Sequence, residues 1–67
     1  MTYKGKTIRF ERITTNTFEV FYGDKLIGTA VETKETAKFY AIPECKYPIY
    51  KAPTKTIAVG AFLQKNL

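Results

Sequence analysis

Phe18-Glu19-Val20-Phe21-Tyr22-Gly23-Asp24-Lys25-Leu26-Ile27 decides the fold of this chain. Four of its first five residues are aromatic or β-branched, the types that pack well on a pleated, half-buried surface. Gly23-Asp24 follows, a pair that accepts the positive φ angles of a tight two-residue turn, and Lys25 to Thr33 then runs back. The stretch predicts an antiparallel hairpin.

On its N-terminal side, Thr7 to Thr14 carries Ile8, Phe10 and Ile13 among Arg9, Glu11 and Arg12. This near-alternation predicts another strand, joined through a turn at Thr15-Asn16. On the C-terminal side a polar turn at Lys34-Glu35 leads into Thr36 to Ile42, where Ala37, Phe39 and Ala41 alternate with Lys38, Tyr40 and Ile42. Pro43 lacks a backbone donor and should end that strand. The stretch Glu44 to Pro53 holds Pro48 and Pro53 among Tyr47, Ile49 and Tyr50, which allows an edge segment or a packed loop.

Thr54 is suited to cap a helix over Lys55 to Asn66, where Ile57/Ala61, Ala58/Phe62 and Val59/Leu63 recur at four-residue spacing. Ile57, Val59 and Phe62 favour strands and Gly60 disfavours a helix, so a fifth strand closing a small all-β barrel is the alternative. The expected fold is α+β: one domain over residues 1–67, an antiparallel meander of about four strands packed on a single C-terminal helix.

A chain of 67 residues has room for one core and no second domain. Cys45 is its only cysteine and histidine is absent, so neither a disulfide nor a structural zinc can brace it. Good local packing or self-association must supply the stability. The start, Met1 to Lys6, shows no secretory apolar stretch, and the longest apolar run, Ile57 to Leu63, is far short of the ~20 residues of a membrane span. A cytoplasmic protein with no membrane contact is expected. Lysine outnumbers arginine nine to two, a bias that points to an AT-rich genome such as many phages and mobile elements have.

Turns centred on Thr15-Asn16, Gly23-Asp24 and Lys34-Glu35 would set Arg12 opposite Glu19, Phe21 opposite Leu26 and Ala30 opposite Phe39. One face then holds Ile8, Phe10, Phe21, Leu26, Gly28, Ala30, Ala37, Phe39 and Ala41 and is assigned to the core. The other holds Arg9, Glu11, Ile13, Phe18, Val20, Tyr22, Lys25, Ile27, Thr29, Val31, Lys38, Tyr40 and Ile42, an aromatic and β-branched set flanked by Arg9, Lys25 and Lys38 and unlike an ordinary solvent face.

Without histidine or serine the common acid–base and nucleophilic schemes fail, and the isolated glycines match no phosphate-binding loop. No catalytic residue, metal ligand or cofactor is expected, and Cys45 reads as an idle or semi-buried thiol. The formal charge of +5 would draw the protein to polyanions. Rings on a strand surface can stack bases while cations track phosphates, so Arg9, Phe18, Tyr22, Lys25, Lys38 and Tyr40 form the expected contact set for nucleic acid. The competing expectation is a homo-oligomer or a module for another protein partner, since a core this small gains from covering a second apolar face.

Overall fold

The computed structural model describes residues 2–42 and 49–66. The expectations built on Pro43, Glu44, Cys45, Tyr47 and Pro48 lie outside the described residues. The others form six strands and a helix in simple sequence order: β1 (Thr2–Tyr3), β2 (Lys6–Arg12), β3 (Thr17–Tyr22), β4 (Lys25–Glu32), β5 (Ala37–Ala41), β6 (Tyr50–Ala52) and α1 (Lys55–Asn66). Each strand pairs antiparallel with the next, giving a meander curled into a half-barrel around α1. The domain is α+β, and residues 55–66 are helical, which removes the all-β barrel.

The turns explain the connections. Tyr22 pairs with Lys25 across Gly23-Asp24, with Gly23 at φ +63°, as a tight two-residue hairpin requires. Lys4 and Gly5 take φ values of 49° and 83°, so a primed turn folds β1 back on β2 and adds a short strand the sequence reading did not include. The helix begins as expected: the Ile57 N–H donates to Thr54 Oγ1 at 3.2 Å, and the Ala58 N–H to the Thr54 carbonyl at 3.1 Å.

The inner face of the sheet carries Ile8, Phe18, Val20, Ala30, Phe39 and Ala41, all buried. Ala58, Val59, Phe62 and Leu63 of α1 seal it over β4, β5 and β6. Phe39 meets Phe62 at 4.9 Å between ring centroids, and Tyr50 meets Phe62 edge-on at 5.8 Å. Each large apolar side chain buried this way contributes roughly 1.5–3 kcal/mol. Towards β1 and β2, Tyr3, Phe10 and Tyr22 pack on the rim of the core.

Two of the three expected pairings hold, Phe21 with Leu26 and Ala30 with Phe39. The third is corrected. Arg12 pairs with Phe18, not Glu19, because the Ile13 and Thr14 N–H groups both donate to the Thr17 carbonyl and close a three-residue loop centred on Thr15. Arg12 Nη1 holds that loop at the Thr15 carbonyl, 2.6 Å away. Moving the turn centre by half a residue slips the register by one and exchanges the faces of β3.

A second irregularity restores the remaining strands. Between Val20 and Phe21 the β3–β4 ladder shifts, so that Ile27 and Gly28 together oppose Val20 as in a β-bulge. Phe18, Val20 and Ile27 therefore lie in the core, and Phe21 and Leu26 lie outside, the reverse of the assignment made from alternation. Ile8, Phe10, Ala30, Ala37, Phe39 and Ala41 keep the expected side.

Candidate functional site

The six residues expected to form one contact surface are distributed over three places. Phe18 is in the core, 7% exposed, beneath the Arg12 guanidinium at 4.9 Å and the Lys55 ammonium at 4.6 Å, and cannot stack on a ligand. Lys38 and Tyr40 lie on the outer face of β5. Arg9, Tyr22 and Lys25 meet at the end of the sheet where the β1–β2 and β3–β4 turns lie side by side.

There they line an open cleft of ≈ 840 Å³ together with Lys6, Thr7, Gly23 and Asp24. The backbone builds it: Ile8 pairs with Tyr22, the Gly23 N–H donates to the Thr7 carbonyl at 2.8 Å, and β2 thereby carries Lys6 to the edge of the hairpin turn. Tyr22 is anchored on the inner face, its hydroxyl donating to the Tyr3 carbonyl at 2.8 Å. The Tyr3 ring stands 6.4 Å from it, tilted by 56°.

Cations lie over these rings. Lys6 Nζ is 5.5 Å from the Tyr22 centroid, and Lys4 Nζ, on the adjacent turn, is 5.7 Å from that of Tyr3. On the outer face the Arg9 guanidinium covers Phe21 at 4.3 Å and also pairs with Glu11 along β2. The ring contacts position the charged groups without neutralising them, while Glu11 offsets the charge of Arg9. Lys4, Lys6, Arg9 and Lys25 thus gather around one end of the sheet, where Asp24 is the acidic residue lining the cleft.

Lys4, Lys6 and Thr7 are the residues that the sequence reading missed. Their signal was Lys4-Gly5: a glycine two residues after Tyr3 and directly before an alternating segment is a turn cue. Read that way, it folds Tyr3 back beside Lys6 and places both near Tyr22.

The other titratable site is at the start of α1. Glu32, at the end of β4, accepts the Lys55 N–H at 3.3 Å and pairs with the Lys55 ammonium at 3.3 Å. The backbone N–H is the largest influence holding its carboxyl below the ordinary value of 4.5, and the Lys55 and Arg12 charges add to it against the opposing effect of burial. This carboxylate serves as a helix cap delivered from the sheet.

The chain matches no protein-family model, no curated protein and no solved structure. Its chemistry is therefore read from the residues themselves. Among the described residues no three acidic or thiol side chains gather to hold a metal ion, and no helix is long and apolar enough to cross a membrane.

Proposed function

We propose that this protein is a small non-enzymatic accessory domain that binds nucleic acid at the cleft between the β1–β2 and β3–β4 turns. The observation that carries the reading is the convergence of Lys6, Arg9 and Lys25 on one open cleft that Tyr22 also lines, with Lys6 Nζ 5.5 Å from the Tyr22 ring centroid. Ammonium and guanidinium groups held at the rim of a groove suit phosphate oxygens, and they supply affinity without demanding a base sequence. Tyr22 and Tyr3 stand where a base splayed from a single strand could lie against an aromatic surface. Lys38 and Tyr40, on the outer face of β5, are left out of this contact.

Fluorescence anisotropy with random single- and double-stranded oligonucleotides at low salt tests it. Binding that weakens steeply as salt is added, and that falls about tenfold or more in Lys6→Glu/Lys25→Glu, supports the cleft as a phosphate site. Absence of binding at low salt, or equal binding by the double variant, would sink it.

A further inference from the structure

The outer face of the sheet has a charge layout that the cleft does not use. Three rows cross it, as the pairings define them: Arg9–Phe21–Leu26, Glu11–Glu19–Thr29–Tyr40, and Thr17–Val31–Lys38–Lys51. At one flank two carboxylates, Glu11 and Glu19, are directly opposite each other. At the other flank two ammonium groups, Lys38 and Lys51, are directly opposite each other. Like charges paired in this way destabilise an isolated sheet.

Within the chain the imbalance is only partly relieved. Arg9 answers Glu11. Among the described residues, Glu19, Lys38 and Lys51 have no ion-pair partner. Between the two flanks lies an apolar strip of half-buried Phe21, Leu26, Val31 and Tyr40, and Ile42, one residue past β5, is 47% exposed.

We infer that this face binds a second copy of the chain in a two-fold dimer. A two-fold axis in front of the outer face, parallel to the sheet and to β4, exchanges its two sides. It lays the Glu11–Glu19 flank of one protomer over the Lys38–Lys51 flank of the other, one same-face row apart along the strands and within reach of these long side chains, twice. Residues on the axis, Leu26, Thr29 and Val31, meet their own copies.

Curvature fits this arrangement. Two convex half-barrels touch closely along a central line and diverge towards their edges. Short, uncharged side chains occupy the line, and long charged ones stand where the gap widens. An interface of standard size buries about 800 Å² per partner, close to one-fifth of the 4489 Å² surface of the protomer. The same contact would cover the apolar outer side of a sheet whose own core is small. It rests on residues other than those of the cleft, apart from Arg9.

Sedimentation velocity on the full chain, with two charge variants, is the test. The wild type should form dimers as concentration rises towards about 1 mM, and added salt should weaken them. Lys38→Glu/Lys51→Glu and Glu11→Lys/Glu19→Lys should each self-associate at least about tenfold more weakly, since like charges then face each other. Mixed in equal amounts, the two should form a heterodimer, because both flanks become complementary again. Circular dichroism of each variant confirms that the sheet is intact, as these side chains point away from the core. A wild type that stays monomeric at about 1 mM, or a mixture of two folded variants that shows no heterodimer, overturns the inference.

Discussion

The ring of Phe39 on β5 lies so close over Gly28 on β4 that a Cβ at Gly28 would stand 2.6 Å from Phe39 Cζ. The backbone of Tyr40 crowds the same position. Phe39 is fully buried against Phe62, so the ring has no room to retreat. Gly28→Ala should therefore destabilise the domain by about 1–3 kcal/mol through overpacking. Thermal denaturation measures this, and an unchanged midpoint would show that the ring can move aside.

Gly60 presents the opposite case. It sits inside α1 at a helical, negative φ, and a Cβ there would meet nothing within 4 Å. Replacing it with Ala removes unfolded-state freedom at no steric cost, so Gly60→Ala should stabilise by roughly 0.5–1 kcal/mol. Urea denaturation midpoints would report the gain. A loss would mean that the helix does not run through residue 60.

Phe18 and Phe21 are three residues apart on one strand and lie on opposite sides of the sheet. Phe18→Ala, which empties a core position, should cost about 3–5 kcal/mol, enough to unfold much of so small a domain. Phe21→Ala removes a half-buried ring beneath Arg9 and should cost less than about half as much. Chemical denaturation of the pair gives a direct reading of the register of β3. Equal losses would contradict the one described above.

Glu32 links stability to pH. Its folded pKa lies below the unfolded one, so the stability it contributes is present above the ordinary value of 4.5 and is lost as pH falls through the lower, folded value. Glu32→Gln should thus be less stable than wild type at neutral pH, by about 0.5–1 kcal/mol after allowance for its partial exposure. The two proteins should converge in acid, where the wild-type carboxyl is itself protonated. Melting temperatures of both across pH 7 down to about 3 check it, the convergence being the decisive part.

Much of the fold was legible because its signals are local. Gly23-Asp24 marks a two-residue turn that any chain would read the same way, and Lys34-Glu35 lies midway between Ala30 and Phe39, so that pairing follows by counting. Thr54 and the four-residue spacing after it located α1 even though Gly60 opposes a helix. The contact set was less legible. Arg9, Tyr22 and Lys25 do line one cleft, through the β2–β3 pairing and the β3–β4 turn, but Phe18 was assigned to the wrong side of its strand.

The residue that could have corrected β3 is Glu19. In the register set by a two-residue turn at Thr15-Asn16, Glu19 faces inward with Phe21 and opposite Arg12, and both charges would be carried towards the core at a desolvation cost of several kcal/mol per ion. In the observed register it points out, and Phe18 and Val20 are buried in its place. Alternation alone could not choose, since Phe18, Val20 and Tyr22 on one side and Phe21 on the other are all apolar.

By itself the sequence determined where strands, turns and helix lie, because those depend on neighbours a few residues apart. Which side of β3 and Leu26 faces the helix was decided by the tertiary structure alone. Side chains alternate with a period of two, so a three-residue loop at Thr15 and one extra residue at Ile27 each reverse a face. Both deviations persist because together they bury Phe18, Val20 and Ile27 under α1 while leaving Ile8 and Phe39 in the same core, a gain that exists only once the sheet and the helix meet.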